Sequence, residues 1–451
     1  MGRWASFLEW CRPPRQAGDE FVAPTFDPQF AGGRPAVAPG RVEPPVETPE
    51  DTPAPLPPLA SLRTQAGSRW LHRPDGSIVD YRESTVGGIY RLWLDGRVDE
   101  IDALLAWLAA FRINAIRPWL NLDSEFWHHH KRANSVAEGD RWFDELGPFV
   151  RHCAARGMYS RVCLFAGVEP FGARPEWVRR PDVVSGDRDV VARMHAYVER
   201  VASLLADEPA VLLEVANEPS QIGFGSDSRV VLELGEHCHG LAPGRLLNFG
   251  AANDEDSTYY ARRPADWFDE HLQRADEWDG FAALKRIIHC PATDTTWPTI
   301  SGEWMNLGGG GHLSTATAFA AAAMLRLKKC SPAFHARALL WATVPDEATA
   351  ASLAAWSRGC DLIPQTFPGS ACNGHWPCSP IDSSAFPASE DESDEHRGPV
   401  RVYGLNGPDG FLGVSLREPG GYELPLDRPI ETLHREQWGA YQARIFRAER
   451  G

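Results

Sequence analysis

The chain has no excess of positive charge: 45 Lys and Arg against 61 Asp and Glu leave a formal charge of −16. Such a chain repels a phosphate backbone unless a local basic patch offsets the repulsion, and no basic cluster occurs in the sequence. Nucleic acid is therefore not an expected partner; neutral or weakly charged ligands fit better. No apolar run reaches the roughly 18 residues that a transmembrane helix needs, so no membrane partner is expected. Met1 to Arg15 mixes Trp, Glu and Pro and lacks the apolar centre of a secretory leader. The expectation is a soluble protein, cytoplasmic or exported without a conventional leader. Nine cysteines are scattered over 451 residues, which is not a small disulfide scaffold. The paired Cys-x2-Cys spacing of a structural zinc site is missing, so neither a metal nor another cofactor is expected.

What is present suits a large globular protein. Hydrophobic residues make up 43% and charged residues 24%, enough for a sizeable core. The length fits one large barrel with appendages, or two to three smaller domains. Residues 1–60 are rich in Pro, Ala and acid, and read as an extended arm or linker. Two short runs then flank Pro74-Asp75-Gly76, a hairpin signal. By analogy, such a hairpin closes the bottom of a barrel.

From Gly87 strand-like and helix-like segments alternate. The strands read as GIYRLWL, NAIRPWLNL, SRVCLFAGV, AVLLEVANEP, RLLNFGAAN, ADWFDEHL, PTISGEW and ALLWATV. Between them lie amphipathic helices, such as the one placing Ile101, Leu104, Leu105 and Leu108 on one face. AVLLEVANEP is nearly continuous in apolar residues, as befits a parallel strand covered on both sides. Eight such units predict a (β/α)8 TIM barrel over residues 61–358. An open doubly wound sheet is the runner-up, but the first strand–helix turn lacks a glycine-rich phosphate fingerprint. Residues 359–399 read as a flexible loop of Cys, Pro and acid, in which Cys360, Cys372 and Cys378 have room for a disulfide. Cys153 and Cys163 sit in apolar segments and read as buried thiols. Residues 400–451 alternate short apolar runs with turns (VRVYGLNG, GFLGVSL, ELPLDRPI, ARIFRA), which predicts a small C-terminal β element.

In such a barrel the reactive groups stand at the C-terminal ends of the strands. Glu218 closes strand four and Glu303 closes strand seven. A charged residue ending a buried strand carries a solvation cost that suggests function, although either carboxylate alone can also be a plain strand-end ion pair. Two carboxyls facing each other over a gap of roughly 5–5.5 Å are what retaining glycoside cleavage requires. The sequence also has 17 tryptophans. Most such rings fill cores, but their flat faces also stack on sugars, and Trp119, Trp127 and Trp304 fall near the predicted strand ends.

ANEP at the end of strand four and SGEW at the end of strand seven resemble the two catalytic glutamates of the clan of (β/α)8 retaining glycoside hydrolases that includes the cellulase and β-mannanase family. The likeness covers roughly residues 70–358. It implies Glu218 as acid/base, Glu303 as nucleophile and Asn217 on the substrate 2-hydroxyl. It further implies that Arg117 lies near the nucleophile and that Trp341, ending strand eight, floors the sugar being cleaved. An oligo- or polysaccharide is the implied substrate. Strand six departs from the family pattern: where His-x-Tyr is common, this chain has His271-Leu272-Gln273-Arg274. His271, Tyr259 or Tyr260 is then the candidate for the role of the missing tyrosine.

Three further readings accompany these. Asn253, Asp254, Asp266, Asp269 and Glu270 either touch sugar hydroxyls or solvate the rim. His128-His129-His130 suggests a metal-dependent hydrolase, but adjacent histidines on a loop point apart. A carbohydrate-binding barrel with weakened catalysis is the alternative to an active enzyme.

Overall fold

The computed structural model describes residues 57–121, 136, 139–168, 171, 184, 187–220, 222–224, 228–250, 266–271, 299–302, 315–327, 330–363, 365, 400–407, 410–417, 430–438 and 441–448. Eight parallel strands form the central sheet: β1 (Glu83–Thr85), β2 (Ala115–Arg117), β3 (Tyr159–Phe165), β4 (Val211–Ala216), β5 (Leu247–Asn248), β6 (Phe268–His271), β7 (Thr299–Gly302) and β8 (Ser331–Phe334). Their order is β5-β4-β3-β2-β1-β8-β7-β6, so chain neighbours are sheet neighbours and β1 lies against β8. At the remaining seam β5 meets Asp266, two residues before β6. The amide of Asp266 donates to the carbonyl of Leu247 at 3.0 Å, and the amide of Leu247 donates to the Asp266 carboxylate at 2.9 Å. These two bonds bridge the seam between the end strands of the sheet, and the TIM barrel read from the sequence is the observed fold.

The outer layer follows from helical periodicity and capping. Helix α1 (Ile89–Leu94) is followed by α2 (Val98–Ala110), whose buried face is Ile101, Leu104, Leu105 and Leu108. Helices α3 (Asp140–Asp144) and α4 (Leu146–Ala155) bury Trp142, Phe149, Val150 and Cys153. Helix α5 (Arg188–Leu205) begins at Asp187, whose carboxylate accepts from the amides of Asp189 and Val190, two donors that have no partner within the helix. Ser228 and Asp346 cap α6 (Arg229–Leu241) and α9 (Glu347–Leu362) in the same way. Between these lie α7 (Thr315–Leu327) and the single turn α8 (Arg337–Leu340).

Helix α7 is buried on every side from Ala316 to Leu327, which explains its alanine-rich sequence. It packs against α9 and the C-terminal sheet. Close approach to α9 depends on Gly359, where a Cβ would lie 2.4 Å from the carbonyl oxygen of Phe319. The C-terminal sheet is antiparallel, with order β11-β12-β10-β9: β9 (Val400–Gly407), β10 (Gly410–Arg417), β11 (Ile430–Trp438) and β12 (Tyr441–Ala448). Val414, Ala443 and Ile445 join the same core as Phe319 and Leu353, and Arg358 on α9 pairs with Glu436 at 2.7 Å. The C-terminal β element is thus packed on the barrel's helices.

The hairpin at Pro74-Asp75-Gly76 forms, with His72 bridging both Arg63 and Ile78. Leu71 and Val79 pack with Tyr81, Ala115, Tyr159, Leu212, Leu246 and Trp267, residues at or just before the starts of the strands. The hairpin therefore plugs the N-terminal end of the barrel and leaves the other end for chemistry.

Two strand assignments are corrected. GIYRLWL is helix α1, and the first strand is Glu83–Thr85. A short apolar run fits a buried helix as well as a strand, whereas the true strand is polar and its Glu83 is paired inside the barrel by Arg161 and Tyr81. Likewise ALLWATV forms α8 and the turn after it, while the eighth strand is the Pro-containing Ser331–Phe334. Trp341 consequently follows α8 instead of ending β8. In the tail, IETLHREQW is a strand that the alternation rule missed; of ELPLDRPI only Ile430 is described. Cys360 also differs from expectation. It is a buried free thiol inside α9, not a loop residue, and burial pushes its pKa up. Cys372, Cys378 and residues 1–56 lie outside the described residues. Burial likewise pushes Cys153 up to about 12, as expected for an inert core thiol. Among the described residues no helix is long and apolar enough to cross a membrane.

Candidate active site

Four charged side chains occupy the barrel interior above the hairpin plug, one from each of β1 to β4. They are Glu83, Arg117, Arg161 and Glu214, all with no exposed surface. Arg117 donates through Nε to Glu214 Oε2 at 2.7 Å and through Nη2 to Glu214 Oε1 at 2.5 Å. Arg161 pairs with Glu83 at 2.6 Å and lies 3.7 Å from Glu214. The hydroxyl of Tyr81 donates to the second oxygen of Glu83 at 2.7 Å. Two positive and two negative charges thus neutralise each other away from water. Removing any one partner would leave an uncompensated charge and cost about 3–5 kcal/mol.

This layer reaches the end of strand four. Arg117 Nη2 also donates to Asn217 Oδ1 at 2.8 Å, fixing the residue next to Glu218. Glu218 is only 6% exposed and adopts a φ of +47°, a left-handed conformation that costs a side-chain-bearing residue about 1–2 kcal/mol. Asn121, after β2, and Ala342, after α8, also have positive φ, at 61° and 54°. Arg112, before β2 at the opposite end, has a φ of 60° as well, so positive φ is not confined to this end of the barrel.

Gly250 explains how β4 can end so tightly. Its φ is +83°, and a Cβ there would lie 1.7 Å from the carbonyl oxygen of Ala216. Gly250→Ala should therefore displace the backbone beside Asn217 and destabilise the protein by at least about 2–3 kcal/mol. An unchanged urea midpoint for this variant would refute the packing described.

Trp119 and Trp341 both lie beside the Gly87-Gly88 turn after β1. The amide of Trp119 donates to the carbonyl of Gly87 at 3.2 Å, and the amide of Gly88 donates to the carbonyl of Leu340 at 2.8 Å. Both indoles are almost fully buried, and the guanidinium of Arg117 stands 5.7 Å from the centre of the Trp119 ring. Arg117, Asn217, Glu218, Trp119 and Trp341 therefore share the C-terminal end of the barrel. His271 is the last residue of β6 and is in register with Gly302, the residue preceding Glu303. Glu303, Trp304, Tyr259 and Tyr260 lie outside the described residues, as do Trp127, Asn253, Asp254 and the run His128-His129-His130. Among the described residues no group of His, Cys, Asp and Glu is arranged to hold a metal.

Asp266 proves to be a seam residue between β5 and β6. Burial raises its pKa, opposed by the Leu247 amide and by His239. Sequence reasoning overlooked Glu83, Arg161 and Glu214. For Arg161 and Glu214 the available signal was a charge embedded in a largely apolar strand, as in VLLEVA, where solvent exposure cannot explain it; Glu83, in the polar strand EST, carried no such signal.

No family model matches the chain, and no curated protein sequence matches it. Solved structures do share its fold. A structure described as a glycoside hydrolase superposes with a TM-score of 0.53 at 13% identity, over 86% of this chain and 97% of that one. A glycoside hydrolase family 5 protein from Bacteroides vulgatus ATCC 8482 gives a TM-score of 0.55 at 14% identity, over 86% of this chain and 93% of that one.

Proposed function

We propose that the chain is a retaining glycoside hydrolase acting on a β-linked oligo- or polysaccharide, with Glu218 as acid/base and Glu303 as nucleophile. The observation that carries this reading is the placement of Glu218. It is a nearly buried carboxyl in a strained conformation at the C-terminal end of β4, beside an asparagine held by a buried arginine. No stability argument favours a glutamate there, since water would solvate it better elsewhere. The shared fold with the two structures above agrees with the reading.

In the proposed reaction a Glu303 oxygen attacks the anomeric carbon while Glu218 gives its proton to the departing glycosidic oxygen. The carbon–oxygen bond to the leaving group breaks as the bond to Glu303 forms. Glu218, now ionised, takes a proton from water, whose oxygen then displaces Glu303 from the sugar. Two inversions give net retention. In this reading Asn217 donates to the 2-hydroxyl, Trp341 supports the ring undergoing cleavage, and Arg117 has the part of the strand-two arginine that the resemblance associates with the nucleophile. Trp119, Trp304, His271 and Tyr259 complete the proposed substrate-binding set.

The strand-six departure at His271-Leu272-Gln273-Arg274 favours a second reading, a carbohydrate-binding barrel of weakened catalysis. A panel of aryl β-glycosides and β-linked polysaccharides separates the two, with product anomers followed by NMR and binding by calorimetry. Release of the β-anomer first supports the enzyme. Release of the α-anomer first would sink the retaining mechanism, and binding without turnover would favour the second reading.

A further inference from the structure

We infer that Glu214 is a positioning residue for the proposed reaction, acting through Arg117 to fix which edge of the Asn217 amide faces the substrate. The inference rests on the glycosidase reading but on different atoms. Arginine has donors only, so the contact from Arg117 Nη2 at 2.8 Å requires the amide oxygen of Asn217 to face inward. The amide NH2 is then left on the opposite edge, able to donate to a sugar oxygen. That choice of edge depends on where the guanidinium sits, and Glu214 sets it. Both carboxylate oxygens of Glu214 accept from Arg117, at 2.7 and 2.5 Å, giving a planar two-point grip that a single contact lacks.

Glu214 itself has little room to move. Arg161 stands 3.7 Å from one of its oxygens and is held in turn by Glu83. Gly250 packs so near that an added Cβ would come within 3.3 Å of Glu214 Oε1. A donor fixed in advance stabilises charge developing in the transition state without reorganising, whereas an amide free to flip presents its oxygen part of the time. Glu214 should therefore matter more for kcat than for KM, although it touches no substrate.

The test is a double-mutant cycle between Glu214→Gln and Asn217→Ala, measured on whichever aryl β-glycoside the wild-type protein cleaves. Glu214→Gln alone should lower kcat on the order of 10²-fold, with KM little changed. In the Asn217→Ala background the same substitution should have almost no further effect, because the amide it orients is gone. Full additivity, or a change confined to KM, overturns the inference. Should Glu214→Gln fail to fold, Arg117→Lys takes its place. It keeps the charge but cannot span Glu214 and Asn217, and the same non-additivity is expected, with additivity again counting against the inference. If the wild-type protein cleaves no glycoside, the functional reading fails separately, and a crystal structure of Glu214→Gln decides the matter. An Asn217 amide still held by Arg117 at the same distance overturns the positioning role, and a displaced or flipped one supports it.

Discussion

Glu303→Gln is expected to lower kcat by about four orders of magnitude or more while leaving substrate affinity nearly intact. The substitution changes one atom and almost no volume, so binding contacts survive. The amide nitrogen, however, cannot attack the anomeric carbon, and the amide oxygen is a far weaker nucleophile than a carboxylate. Loss of an interaction made only on the way to the transition state lowers kcat and kcat/KM together. Steady-state kinetics on an aryl β-glycoside, with binding of the uncleaved substrate measured on the variant, gives both quantities. A 2-deoxy-2-fluoro glycoside with a good leaving group should also label wild-type Glu303 covalently, as seen by peptide mass spectrometry. Near-full turnover by the variant, or a label on another residue, would overturn the nucleophile assignment.

Glu218→Ala should show a loss that depends on the leaving group. Positioned proton transfer contributes about 10²–10⁴-fold, and that contribution disappears when no acid stands by the glycosidic oxygen. A poor leaving group needs the proton and should react very slowly, whereas a dinitrophenolate departs without it. With such activated substrates the first step proceeds and the glycosyl-enzyme accumulates, because no base remains to activate water. The space left by the side chain admits azide, which needs no base. Azide should therefore restore turnover and yield the β-glycosyl azide. A uniform loss across leaving groups with no rescue would count against Glu218 as acid/base. The substitution also removes a buried carboxyl, so its thermal stability should not fall in step with its activity.

These experiments address a site that was only partly readable from the sequence. The position of Glu218 just past β4 could be read because β4 lies in a nearly continuous apolar run, whereas strand two was read as NAIRPWLNL and only the structure ends β2 at Arg117. The reading failed at the first and eighth strands for one physical reason. Hydrophobic patterning marks burial, and it cannot tell a strand that buries polar side chains from a loop. Glu83, Ser84 and Thr85 are buried on β1, while the more apolar Ile89–Leu94 and Ala338–Leu340 segments are helical cover. The role of Asp266 was hidden in the same way, since its carboxylate is used by a strand amide nearly twenty positions earlier in the chain.

The sequence by itself determined the alternation of strands and helices, the hairpin, the alanine-rich helix and the course of β2 and β4, though not where those two strands end. Each of these is encoded by neighbours a few positions apart, through periodicity, capping and turn chemistry. Only the tertiary structure decided that Glu83, Arg117, Arg161 and Glu214 form one neutral layer, that Gly250 seats against Ala216, and that Trp119 lies beside Gly87 and Trp341 beside Gly88. Those contacts join residues far apart in the chain, and the parallel pairing of neighbouring strands in the sheet is what brings them within reach of one another.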